Sequence, residues 1–213
     1  MKFNEFYASM VSFGVFSYED IHGVFGAFDR RRLHEWNQKG LIIKLIKGNY
    51  IFSDFIHVEN IGLLISNKIY NPSYVSLEYV MSFEGLIPEA VYTITAVSTL
   101  KTSSFDTPLG AFDYRKVKNE LFSGYELRPL KLFLNGRIID RKVRVASLEK
   151  AFFDFIYLKN YTLQNDEIRE LRFDRDVLKG MKKRAIKEFI AKTRHKTVEE
   201  NIQKIWRVYD IKG

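Results

Sequence analysis

The feature that most constrains this chain is the order of its first fifty residues. Three short segments of helical periodicity lead into two β-prone runs joined by Lys47-Gly48-Asn49. Phe3, Phe6, Tyr7 and Met10 recur at i, i+3, i+4 and i+7, and Val11 widens the stripe, so the spacing predicts a helix ending near Phe13-Gly14. Ser17 stands before Tyr18-Glu19-Asp20, a cap residue followed by acids in the first turn, and opens a second short helix limited by Gly23 and Gly26. A third helix is predicted from Phe28 to Gln38. Asp29 stands at its start, Leu33 and Trp36 face inward, and Gly40 ends it in a left-handed cap. Residues 41–46 and 50–52 then read as a hairpin. Three short helices and a small hairpin are the order of a winged helix-turn-helix. Residues 1–54 are therefore expected to form such a domain, and residues 55–213 a second one.

The second unit mixes both periodicities, so the expected class is α+β: a small, largely antiparallel sheet with C-terminal helices. Residues 56–69 read as a helix stopped by Asn71-Pro72. Ser76 is placed to cap a helix through Phe83, with Gly85 at its end. Residues 91–99 alternate and are rich in β-branched side chains, and residues 105–107 and 110–115 read as strands around a Pro-Leu-Gly turn. Residues 122–127 and 141–145 add two more, with Asn135-Gly136 between them as a hairpin signal. Ser147 precedes a very apolar helix over residues 148–158 in which Lys150 and Asp154 can pair at i, i+4. Its charges need partners, because burying an unpaired charge is expensive. Glu149 and Asp154 lie about 140° apart around the helix, a poor geometry for a shared metal. The reading for Glu149, Lys150 and Asp154 is therefore structural ion pairing. Residues 174–191 and 197–209 show two further amphipathic helices.

Composition narrows the function classes. The chain has no cysteine, which removes disulfides, thiolate zinc ligands and a thiol nucleophile. No apolar run reaches ~18 residues and the N-terminus lacks a signal-peptide pattern, so no membrane role and a cytoplasmic location are expected. The net charge of +8 is uneven. Residues 1–53 hold 7 basic and 5 acidic residues, residues 54–168 hold 13 and 14, and residues 169–213 hold 14 and 7. Within residues 28–50 the balance is 6 to 2. Basic ends around a neutral middle suggest a polyanion partner, here double-stranded DNA. The candidate DNA-contacting residues are Arg30, Arg31, Arg32 and His34 on the third helix, with Lys44, Lys47 and Asn49 on the hairpin. Consecutive arginines fan around a helix, so Arg31 or Arg32 is expected toward the groove with a neighbour on phosphate. Lys182, Lys183, Arg184 and Lys187 mark a possible second basic surface.

Several strings, in order, resemble one family. They are Lys39-Gly40-Leu41 with Lys47-Gly48-Asn49-Tyr50, Pro72-Ser73-Tyr74-Val75-Ser76-Leu77-Glu78, Glu84-Gly85-Leu86-Ile87-Pro88-Glu89, Phe122-Ser123-Gly124-Tyr125, and Ala146-Ser147-Leu148-Glu149-Lys150-Ala151-Phe152-Phe153-Asp154. Phe105 to Gly110 followed by Tyr114 belongs to the same series. Together they resemble the AbiEi family, antitoxins of type IV toxin–antitoxin systems and transcriptional regulators of phage-defence loci. The resemblance implies a winged helix that binds repeats in its own promoter. It also implies a second domain that counteracts a nucleotidyltransferase-like toxin without forming a stable complex with it. Tyr74, Ser76, Glu78, Glu149, Lys150 and Asp154 fall on the family strings of that second domain. The expected state is a monomer or weak dimer, with no cofactor and no metal.

Two other classes stand beside this one. A solitary winged-helix regulator or protein-binding module would keep the architecture without a toxin. A metal-dependent nuclease would need carboxylates such as Asp106, Asp113 and Glu126 brought together. No phosphate-binding loop, zinc-protease or hydrolase motif is present, and His22, His34, His57 and His195 are scattered, so the chain is not expected to be an enzyme.

Overall fold

The computed structural model describes residues 1–193 and 195–211. It is an α+β protein: N-terminal helices, a mixed sheet in the middle and helices at the C-terminal end. In the first unit, α1 (Phe3–Met10) runs into a 3-10 turn over Val11–Phe13. Strand β1 (Val15–Ser17) follows directly and hands over to α2 (Tyr18–Phe25). Ser17 accepts the Asp20 N–H and Asp20 accepts the Ser17 N–H at 2.6 Å, a reciprocal box that fixes the start of α2. Helix α3 spans Arg31–Gln38, and Gly40 has a φ of 67° as its cap position requires. Strands β2 (Ile42–Ile46) and β3 (Asn49–Phe52) form the expected hairpin. Unexpectedly, β1 pairs with β3, Val15 opposite Ile51, giving a three-stranded sheet of order β1-β3-β2. An aromatic cluster closes this unit: Phe6 lies 4.7 Å from Trp36, 5.6 Å from Phe16 and 5.9 Å from Phe52, centroid to centroid.

The second unit begins with α4 (Ile61–Ile69), five residues later than the sequence suggested, because residues 56–60 form turns and Asn60, at φ 58°, sets the helix start. Then come β4 (Ser73–Val75), α5 (Leu77–Phe83), β5 (Ile94–Ser98), β6 (Ser103–Thr107), β7 (Gly110–Lys116), β8 (Tyr125–Leu134) and β9 (Arg137–Ala146). Their order is β6-β7-β5-β4-β9-β8. Three of the sheet's five pairings are antiparallel, the long β8–β9 pair among them, but the sheet is mixed rather than a small antiparallel one. The sheet has six strands, and two of its five pairings, β4 with β9 and β5 with β7, are parallel. Those pairs are joined by long connections that local pattern does not reveal. Asn135-Gly136 does turn the β8–β9 hairpin, with both residues at positive φ. Pro129 stands on β8, an edge strand, where a missing N–H is tolerated.

Helix α6 spans Leu148–Lys159 with Ser147 as its cap. A short polar helix, α7 (Asn165–Glu170), follows. The single helix expected over residues 174–191 is two, α8 (Arg175–Gly180) and α9 (Lys183–Thr193), broken at Met181, whose backbone is extended. Helix α10 (Lys196–Val208) ends the described chain.

The two units share one buried core. Gly14, at φ 68°, lies where an added Cβ would meet Leu64 at 2.8 Å and Leu132 at 3.4 Å. Lys68 on α4 pairs with Asp20 on α2. The Tyr7 hydroxyl donates to Asp54 at 2.5 Å, and burial together with that carboxylate pushes the Tyr7 phenol up to about 12.

Candidate nucleic-acid interface

Leu33 and Trp36 are 3% and 4% exposed and hold α3 on the aromatic cluster. Their position leaves Arg31, His34, Glu35 and Gln38, at i, i+3, i+4 and i+7, as one exposed stripe. The three consecutive arginines take three directions. Arg30, just before the helix, lays its guanidinium 3.7 Å from the centroid of the Tyr18 ring. Arg32 is half-buried and donates to the Met1 carbonyl at 2.7 Å. Arg31 alone of the three lies on the outward stripe. Asp29 accepts both its N–H at 3.0 Å and its Nε–H at 3.2 Å, and these bonds, the backbone one foremost, hold the Asp29 carboxyl below its usual range. The sequence expectation that Arg31 or Arg32 faces outward is thus narrowed to Arg31. Glu35 and Gln38 were missed; the 3.6-residue period measured from Leu33 and Trp36 was enough to find them.

Lys44 is exposed, and its N–H donates to Asn37 Oδ1 at 2.9 Å, tying β2 to α3. Lys47 is exposed on the β2–β3 turn, and the Gly48 carbonyl accepts the Tyr18 N–H at 3.1 Å. Asn49 opens β3 and lines a polar cleft of about 530 Å3 with Ser17, Asn67, Lys68, Asn71, Lys142 and Arg144. Glu19 also lines it. Arg144 is fixed there: its N–H donates to Asn67 Oδ1 at 2.5 Å and its Nη1 to Asn71 Oδ1 at 2.9 Å. Burial works against the Asp20 carboxylate, but its bonds from Lys68 and the Ser17 N–H prevail and keep its pKa below the ordinary value. Residues 125–146, the β8–β9 hairpin, carry six basic and two acidic residues. Acidic residues elsewhere in 54–168 offset this basic hairpin, so the middle of the chain is near neutral as a whole.

The two strings of the second unit meet in its core. Asp154 on α6 accepts from the Tyr74 hydroxyl and the Ser76 hydroxyl, each at 2.9 Å, and pairs with Lys150 one turn earlier. All four side chains are at most 1% exposed. Burial pushes the Asp154 carboxyl up and the Lys150 ammonium down, while three donors on one carboxylate favour the ion pair. The expectation that Ser76 caps α5 is corrected: Ser76 stands at the cap position, but its hydroxyl donates to Asp154 instead of accepting from the helix. Glu149 corrects the expectation of a buried ion pair: it is half-buried and accepts the Lys182 N–H at 3.0 Å. Glu78 lies apart from this group, in a separate cleft.

The remaining expectations distribute plainly. Of Lys182, Lys183, Arg184 and Lys187, Lys183 and Lys187 lie one turn apart on α9, on the side of Trp206. Lys183 lies 5.9 Å from the Trp206 ring, Arg184 pairs with Glu188 at 3.1 Å, and Lys187 borders a groove between α9 and α10. Asp106 and Asp113 lie on β6 and β7 at one edge of the sheet and Glu126 on β8 at the other, so they form no common site. Among the described residues no group of three or more His, Asp or Glu is placed to hold a metal ion, and no helix is long and apolar enough to cross a membrane. No protein-family model matches the chain, and no curated protein matches it.

Proposed function

We propose that residues 1–54 act as a winged helix-turn-helix that binds double-stranded DNA in the promoter of its own operon. The observation that carries this reading is one juxtaposition. The outward stripe of α3, with Arg31, His34 and Gln38, is tied through Asn37 and Lys44 to a hairpin that ends in an exposed Lys47. A helix of this width fits a major groove, and a basic hairpin beside it reaches the flanking backbone. Arg31 and Gln38 are suited to purine edges and Glu35 to a cytosine amino group. Lys142 and Arg144, across the cleft from Asn49, extend the phosphate-attracting surface onto β9.

For the second unit the reading is an AbiEi-like antitoxin that counteracts a nucleotidyltransferase-like toxin, working as a monomer or weak dimer. Its support is the resemblance, joined by the convergence of both family strings on the Asp154 network. The test is a two-readout strain carrying a promoter reporter and the toxin gene. The double variant Arg31→Ala/Lys47→Ala should lose repression and still rescue growth. Retained repression would remove the DNA assignment. Failure of the wild-type protein to rescue growth would remove the antitoxin assignment and leave a solitary regulator.

A further inference from the structure

A second site lies where α5 begins, against the C-terminal part of α6. Ser76 is extended, and Leu77 then turns at φ 61°, a conformation sterically disfavoured for any residue with a Cβ. Leu77 is 3% exposed, so the strain is held by its surroundings. Thr95 Oγ1 donates to the Ser76 carbonyl at 2.7 Å and accepts the Tyr79 N–H at 3.0 Å, which pins the turn from both sides. The turn delivers Glu78 into a cleft of about 230 Å3 shared with Arg115 from β7 and Lys159 from the end of α6. Leu77, Phe155 and Leu158 form its apolar wall. Among the described residues Glu78, Arg115 and Lys159 make no ion pair or side-chain hydrogen bond, although one carboxylate and two cations border the same small space. Lys159 rests over the Phe155 ring at 4.7 Å. Strained backbone of this kind gathers at ligand sites, where it holds a group in place before the ligand arrives.

We propose that this cleft binds an acidic α-amino acid. The chemistry follows from the charges. Glu78 accepts from the ligand's ammonium, Arg115 takes the α-carboxylate with its planar fork, and Lys159 takes the second carboxylate. The methylene chain lies against Leu77 and Leu158. The site's three charges sum to one positive and the ligand carries one negative, so the complex is neutral. The cleft is smaller than the ~300–1,000 Å3 of sites for drug-sized ligands, which suits a ligand of this size.

The probe is L-glutamate, titrated calorimetrically into the full chain at constant ionic strength. Saturable binding is expected, with N-acetyl-glutamate (no ammonium) and γ-aminobutyrate (no α-carboxylate) each at least tenfold weaker. Leucine, lacking the second carboxylate, should also bind at least tenfold more weakly. Glu78→Gln and Arg115→Gln should each weaken glutamate at least tenfold while the ligand-free melting temperature stays unchanged, since neither side chain is paired. Binding absent at about 10 mM glutamate, an affinity too weak for a built site, would overturn the proposal. So would leucine binding as tightly as glutamate, or variants that bind as the wild type does. Promoter binding does not enter this test, so its failure leaves the DNA reading intact.

Discussion

Replacing Asp154 by alanine should be among the most damaging single changes in the protein. The carboxylate accepts from three groups, the Lys150 ammonium, the Tyr74 hydroxyl and the Ser76 hydroxyl, none more than 1% exposed. Breaking a buried pair by removing one member costs about 3–5 kcal/mol, because the other charge stays buried and uncompensated. Two hydroxyls also lose their acceptor, at about 1–3 kcal/mol each where no water replaces it. At the lower end of these ranges the loss is ~5 kcal/mol, against a total of about 5–15 kcal/mol for a typical domain. At about 2–4 °C per kcal/mol for a chain of this size, the melting temperature should fall by roughly 10–20 °C. Lys150→Met should cost less, about 3 kcal/mol, since the carboxylate keeps two hydroxyl donors and can take up a proton. The discriminating variant is the double one. Adding Lys150→Met to Asp154→Ala should recover stability, because the stranded ammonium is gone. Urea unfolding of the wild type, both single variants and the double variant measures the cycle. A loss below about 1 kcal/mol for Asp154→Ala, or a double variant less stable than Asp154→Ala alone, would show that Asp154 does not hold a buried, compensated ammonium.

Two further outcomes test how the units are joined. The Asp20 carboxyl has a folded-state pKa below its unfolded value, so its contribution is present above about pH 4 and is lost as pH falls through the folded value; Lys68→Met should flatten this acid limb in pH-dependent urea unfolding. Gly14→Ala combines a positive φ with a 2.8 Å approach to Leu64 and should cost roughly 2–4 kcal/mol, lowering a single cooperative calorimetric transition, whereas two separate transitions would show that the units do not share a core.

How much of this was legible in the sequence depends on how local each signal was. Helices α1 to α3, the β2–β3 hairpin and the Asn135-Gly136 turn were legible, because caps, glycines and the 3.6-residue period act within a few positions. The Lys150–Asp154 pair was legible for the same reason, being one turn apart. Strand β1 was not: Val15–Ser17 is three residues long, and only pairing with Ile51, far along the chain, makes it a strand. The parallel pairings of β4 with β9 and β5 with β7 are equally non-local. The break between α8 and α9 was hidden because the apolar stripe continues through it: Met181 is buried, as are Leu178 before it and Ile186 after it. At the candidate interface, the arginine cluster was visible as composition, but its division into three directions depends on Tyr18 and the Met1 carbonyl, which sequence spacing does not bring near. The Glu78 cleft was invisible for a related reason, since its three charged residues come from α5, β7 and α6.

The measurement that bears most directly on the central claim is the binding of the full-length protein to a labelled duplex from its own promoter, by fluorescence anisotropy across a salt series. Arg31→Ala, Lys47→Ala and Arg32→Ala are compared with the wild type. Binding to promoter should be tighter than to scrambled duplex, with affinity falling steeply as salt rises. Lys47→Ala should lower the log–log salt slope by about 1, the signature of one lost phosphate contact. Arg31→Ala should weaken promoter binding and narrow its margin over scrambled DNA. Arg32→Ala, whose guanidinium is bound to the Met1 carbonyl, should leave both quantities close to wild type. Equal binding to promoter and scrambled duplex, or a loss of affinity in Arg32→Ala with none in Arg31→Ala, would contradict the assignment of α3 and the β2–β3 hairpin as the DNA-binding surface.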